Sequence, residues 1–122
     1  MKLDFNKEGL DQLYPQHTSR VLLYLWDINS APSRGLSIKE LHEWYIEYAE
    51  ANGLDVKSRT SIANSLTELE RDGIIGHYEK TGQGGIKLMY YHIVSPQMFS
   101  VRITERLGKR MQGIFTGAWW KL

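Results

Sequence analysis

Ser58-Arg59-Thr60-Ser61-Ile62-Ala63-Asn64-Ser65-Leu66-Thr67-Glu68-Leu69-Glu70-Arg71-Asp72-Gly73-Ile74-Ile75 is the stretch whose reading decides the fold. Ile62, Leu66 and Leu69 recur at helical spacing, so a helix from about Lys57–Ser58 to Asp72 turns them inward on one stripe. Arg59, Thr60, Ala63, Asn64, Thr67 and Arg71 fall on the remaining surface. Gly73 stops the helix, and Ile74-Ile75 opens an extended run.

Two more helices precede this one. Val21, Leu22, Leu25 and Ile28 predict a helix over Thr18–Asn29, and Pro32 and Gly35 prevent its continuation. Ser37 opens the next, with Glu40 three residues on in the capping-box position. Ile38, Leu41, Tyr45 and Tyr48 make its apolar stripe, with Trp44 beside it. Glu40, Glu43, Glu47 and Glu50 form an acidic stripe, read as a solvated face. Ala51-Asn52-Gly53 ends this helix, with Gly53 suited to a left-handed cap.

Downstream, residues 76–80 and 86–93 are rich in aromatic and β-branched side chains and flank the loop Thr81–Gly85, which predicts a hairpin. Arg34–Leu36 is expected to pair with this hairpin as a third strand. Ser95-Pro96 starts a last helix, Ser as cap and Pro at the first position. Its apolar face comprises Met98, Phe99, Val101, Ile103, Leu107, Met111, Ile114 and Phe115. Gly108, Gly113 and Gly117 lower its propensity and predict a bend or an early end. The expected architecture is mainly α with a small β-wing: an N-terminal arm over residues 1–17, a winged helix-turn-helix over 18–95 and a C-terminal helix over 96–122.

With 122 residues the chain holds one core, and 42% hydrophobic and 24% charged residues are ordinary values for a globular protein. Disorder is expected only in the first few residues. Cys is absent, which excludes disulfides and thiolate metal sites. No apolar run approaches a membrane span and the start has no signal-peptide pattern, so a cytoplasmic protein is expected. The net charge of +1 conceals an asymmetry: residues 1–55 carry −4, residues 56–95 +1 and residues 96–122 +4. The cations lie in the half that holds the polar helix face and the hairpin.

That face has the character a DNA major-groove helix needs, with Arg59 suited to guanine and Asn64 to adenine. The plainer alternatives are a solvated surface or a phosphate contact, which carries no sequence information. The expected DNA contacts are Lys57, Ser58, Arg59, Thr60, Ser61, Ala63, Asn64, Thr67 and Arg71 on the helix. Lys80, Gly82, Gln83, Gly84, Gly85 and Lys87 join them from the wing, where small residues allow close approach. Ser37 and Lys39, at a helix N-terminus, are further phosphate candidates. The glycine cluster lacks the Gly-Lys-Ser/Thr of a nucleotide loop. His17, His42, His77 and His92 have no metal-ligand spacing, although His77 and His92 would face each other across the wing. No nucleophile elbow or catalytic carboxylate pair stands out, so no enzyme, metal or cofactor is expected.

Ser61-Ile62, Leu66-Thr67-Glu68-Leu69-Glu70 and Arg71-Asp72-Gly73-Ile74-Ile75 resemble the recognition helix and turn of winged-helix transcriptional regulators, and this resemblance covers about residues 18–95. Gly84-Gly85 and Tyr90-Tyr91 resemble the wing of the PadR group, over about residues 69–91. MarR-like and penicillinase-repressor-like proteins share the general plan. The resemblance implies a sequence-specific double-stranded DNA-binding regulator, most simply a repressor that occludes a promoter. A winged helix used for protein–protein contact, or a replication or plasmid-partition DNA binder, are the alternatives. Phe99, Ile103, Leu107, Met111, Ile114 and Phe115 would leave a large apolar patch on a monomer, so dimerisation through the last helix, together with the first, is expected. Trp44, Tyr45, Tyr48, Trp119 and Trp120 suggest a pocket for a small aromatic effector.

Overall fold

Side-chain oxygens and glycines set the limits of the elements. The computed structural model describes residues 1–115, with side chains through Lys109. Helix α1 (Gln16–Asp27) follows Pro15 and stops where Asn29 takes a positive φ of 52°, a conformation Asn tolerates better than most residues. Strand β1 (Leu36–Ser37) leads directly into α2 (Ile38–Ala51). The reciprocal capping box is present, with the Glu40 amide donating to Ser37 Oγ at 3.2 Å and the Ser37 amide to Glu40 Oε1 at 3.3 Å. Helix α3 (Arg59–Arg71) is capped by Ser58, whose Oγ accepts from the Ser61 amide. Ser95 Oγ plays the same part for α4 (Pro96–Phe115) by accepting from the Met98 amide.

The hairpin strands β2 (Ile75–Gly82) and β3 (Gly85–His92) pair antiparallel, and β1 adds to the other edge of β3, giving the order β1-β3-β2. The strands run further than the glycine content suggested. Gly82 pairs with Gly85, so the turn is Gln83-Gly84 alone rather than the five-residue loop Thr81–Gly85. Gly84 and Gly85 have φ of 93° and 104°, which is why a side chain is disfavoured there. The third strand lies at Leu36–Ser37, starting two residues and ending one residue later than the expected Arg34–Leu36. Gly35, which precedes it, has no room for a Cβ: the Tyr90 carbonyl oxygen and the Tyr78 ring would each lie 3.0 Å away. His77 and His92 do not face each other, because the register sets His77 opposite Tyr90 and His92 opposite Ile75.

Leu22 and Leu25 from α1, Leu41 and Tyr45 from α2, and Ile62, Leu66 and Leu69 from α3 form the centre of the core. Ala49, Ile75, Tyr90, Val94 and Phe99 complete it. Between α1 and α3, Thr18 and Ser65 are buried and hydrogen-bonded at 2.7 Å. Small polar groups at this contact let the two backbones approach while each satisfies the other. The order of helices, the small sheet and the hairpin make this a winged helix-turn-helix with a long C-terminal helix.

The first residues and the start of α4 both pack against the domain. The first residues are packed onto the domain: a 3-10 turn at Gly9–Gln12 leads to Tyr14, which is buried and donates its hydroxyl to Asp72 at 2.8 Å. The Met1 ammonium lies 3.0 Å from the same carboxylate. At the other end, α4 continues through Gly108 without interruption, because a lone glycine costs only about 1 kcal/mol in a helix. Phe99 is buried against Trp26, and Ile103 packs on the core edge. These two are therefore covered within one copy of the chain. Met98 and Val101 are exposed instead. The Met111, Ile114 and Phe115 side chains, and Gly117, Trp119 and Trp120, lie outside the described residues.

Candidate nucleic-acid interface

Helix α3 is held from three sides. Its apolar stripe is buried in the core. The loop before it is fixed from α2, because His42 Nε2 donates to the Lys57 carbonyl at 2.9 Å. Its last turn is tied to the wing by Glu70, whose carboxylate lies 2.7 Å from His77 Nδ1. Glu68 is turned towards the Met1 ammonium at 3.6 Å. Both acids are thereby drawn to the flanks, and the exposed stripe between them, Thr60, Asn64, Thr67 and Arg71, carries no carboxylate. Charge segregation of this kind is what an anionic partner requires.

Beside that stripe a groove of about 450 Å³ runs between α3, the start of α2 and the wing. Arg59, Thr60 and Ala63 line it from α3, Ser37, Ile38 and Lys39 from α2, and Ile86, Lys87 and Leu88 from β3. Among the described residues, no carboxylate lies within 4.0 Å of Lys39, Arg59 or Lys87. Lys87 also sits directly opposite Lys80 in the sheet register. A directly opposed like-charge pair costs the hairpin on the order of 0.2–1 kcal/mol, and a bound anion relieves it.

The structure divides the residues expected from sequence into groups. Ser37, Lys39, Arg59, Thr60, Ala63 and Lys87 converge on the groove. Asn64, Thr67 and Arg71 continue along the exposed face of α3, and Gly82, Gln83, Gly84 and Gly85 form the exposed wing tip. The hydroxyls of Ser58 and Ser61 are engaged with each other at 3.1 Å in the cap. Lys57 lies elsewhere, in a separate cavity with His17, Tyr45 and Asp55. Burial holds His17 below the ordinary histidine pKa, and the Lys57 cation adds to the effect.

Sequence reasoning missed the groove's apolar floor of Ile38, Ile86 and Leu88. Ile86 was the legible clue, an exposed β-branched residue next to a glycine turn. It also missed the His42 and His77 ties, which join residues distant in sequence or on different elements. The aromatic residues of α2 stack on one another and on α1. Tyr45 is core, while Trp44 stacks on Tyr24 with ring centroids 4.0 Å apart and on Tyr48 at 5.3 Å, so the rings fill the space between them.

No family model matches the sequence, and no curated protein matches it. A solved structure described as a possible transcriptional regulator from Methanosarcina mazei Go1 is similar with a TM-score of 0.50 at 16% identity. The match covers 81% of this chain and 78% of that one. At that identity the likeness is one of fold, and function has to be argued from the site. No helix among the described residues is long and apolar enough to cross a membrane.

Proposed function

We propose that this protein is a sequence-specific double-stranded DNA-binding regulator of transcription, acting as a homodimer and repressing by occupying promoter DNA. The observation that carries the reading is the groove with three cations that have no carboxylate partner among the described residues, adjoining a carboxylate-free polar face on α3. Duplex DNA supplies both missing counterparts. Its phosphates take Lys39, Arg59 and Lys87, and its major groove accepts the exposed face of α3. The wing tip is narrow enough to follow the backbone or enter the minor groove. The similar solved structure carries a name of the same kind.

Dimerisation supplies a two-fold pair of recognition helices and hence a paired half-site. Phe99, Ile103 and Leu107 lie against their own domain. A helix of 20 residues is about 30 Å long, and the apolar sequence continues through Met111, Ile114 and Phe115. A second copy is the proposed cover for that continuation.

Fluorescence anisotropy with genomic duplex fragments at several salt concentrations tests DNA binding, comparing wild type with an Arg59→Ala/Asn64→Ala variant. The expected result is a subset of fragments bound tightly, with that preference lost in the variant. Uniformly weak binding that the double substitution leaves unchanged refutes the proposal. Light scattering tests the dimer: the full chain is expected at twice the monomer mass, and a chain ending at residue 107 as a folded monomer. Truncating at residue 97 is a poorer test, because it removes Phe99 from the core.

A further inference from the structure

Thr67 is exposed on α3, and its hydroxyl donates to the Ala63 carbonyl at 3.1 Å. With that proton committed to the backbone, Thr67 has no hydroxyl donor left to offer outward and presents its methyl beside an acceptor oxygen. Ala63, one turn earlier, also offers a methyl, and Thr60 offers a methyl and a hydroxyl. Between them stands the Asn64 amide, exposed and with no hydrogen-bond partner among the described residues. The centre of the α3 face is therefore three methyl-bearing side chains around one carboxamide.

From these groups we infer that α3 reads a run of A·T base pairs, recognising thymine by its C5-methyl through Thr60, Ala63 and Thr67 and adenine through Asn64. The inference rests on the DNA-binding function proposed above and specifies its substrate. In the major groove only thymine presents a methyl, and Ala and Thr methyls are its apolar partners. An Asn carboxamide matches adenine N6 and N7 in a bidentate contact. The same face lacks the charged side chains that commonly read G·C pairs. Guanine is taken by Arg or Lys and cytosine by Asp or Glu, and none of these stands among Thr60, Ala63, Asn64 and Thr67.

The charged residues of α3 lie at the margins. Arg59 shares the groove with Lys39 and Lys87, which assigns it to backbone phosphate. Arg71 is a full turn beyond Thr67, and Glu68 and Glu70 are drawn to Met1 and His77. From Thr60 to Thr67 the helix rises about 10 Å. At about 3.4 Å per base pair this covers about three steps, so the expected element is an A·T run of three to four pairs in each half-site. The hydroxyl bond of Thr67 has a second consequence: it holds one rotamer, so the methyl is presented without further ordering on binding.

The test is selection from a randomised duplex library with the full-length protein, followed by affinity measurements on the selected duplex with single thymines replaced by uracil. Uracil lacks only the C5-methyl, and the loss of one buried methyl corresponds to a weakening of about four-fold. The expected result is an A·T core in each half-site and that penalty at two or three thymines. Thr67→Ser, which keeps the hydroxyl and removes the methyl, abolishes the penalty at one thymine and leaves the others. Asn64→Ala removes the preference for adenine at one position by roughly five-fold or more. These residues are exposed, so the variants keep the fold, which circular dichroism verifies. A G·C-rich core, or an A·T core insensitive to uracil, overturns the inference while leaving DNA binding intact. Tight binding with no sequence preference overturns it in the same way. Failure to retain any duplex overturns the DNA-binding function itself.

Discussion

Replacing Lys39, Arg59 and Lys87 by alanine, singly and together, gives a quantitative reading of the groove. Their charged ends surround one groove and have no carboxylate within 4.0 Å among the described residues, so no internal ion pair has to be broken before they meet phosphate. Each phosphate neutralised contributes about 0.9 to the slope of log K against log salt concentration. One alanine should lower the slope by about 0.9 and all three by about 2.7. Over a four-fold rise in salt, for example from 50 to 200 mM, that difference is roughly forty-fold in affinity lost by the wild type but not by the triple variant. Anisotropy titrations on one duplex at five or six salt concentrations measure it. Lys7→Ala is the control, because Lys7 lies in the cavity beneath the N-terminal segment, away from the groove. The reasoning fails if the triple variant keeps the wild-type slope, or if Lys7→Ala lowers it equally.

Three further outcomes follow from the packing. His17 has a folded pKa below its ordinary value of 6.5, chiefly through burial; the unfolded chain therefore binds the proton first. Stability should fall as pH drops through about 6.5 towards the folded value, and urea melts at pH 7.5 and 5.5 should show a smaller decline for His17→Gln than for wild type. At the α1–α3 contact, Ser65 Oγ also donates to the Ser61 carbonyl at 3.1 Å, so Thr18 is the natural donor in the buried pair. Ser65→Ala leaves that donor without an acceptor and should cost about 1–3 kcal/mol, whereas Thr18→Val should cost about 1 kcal/mol or less; equal costs in chemical denaturation would contradict the assigned direction. Gly35→Ala should lower the melting temperature, since its Cβ meets the Tyr90 backbone oxygen, and an unchanged melt would show that β1 shifts freely.

Ser37 with Glu40, and Ser58 and Ser95 at the two later helix starts, were readable because capping operates within four residues of chain. The inward stripe of α3 was readable for the same reason, since its period is a property of one helix. The glycine turn was placed correctly but drawn too long, because composition identifies where a chain can turn and only the pairing of Gly82 with Gly85 says where pairing ends. The exposed residues of α3 were largely legible by subtraction from the apolar stripe. Lys57 was the exception, because its position one residue before the cap says nothing of the cavity it faces.

The stretch Ser58–Ile75 thus determined by itself a capped helix, its buried stripe, its polar face and its stop at Gly73. Tertiary structure decided which of the polar residues share a site. Only the docking of β3 and the start of α2 beside α3 brings Lys39 and Lys87 to Arg59 across one groove. The ties to Met1 and His77 hold Glu68 and Glu70 on the flanks where the helix places them. Tertiary structure also ties the N-terminal residues to α3, through Tyr14 and Asp72. The physical reason is one of range. Caps and stripes act over a turn or two of chain, whereas charge segregation and groove formation depend on groups as far apart in sequence as Met1 and Glu68, or Lys39 and Lys87, meeting in space.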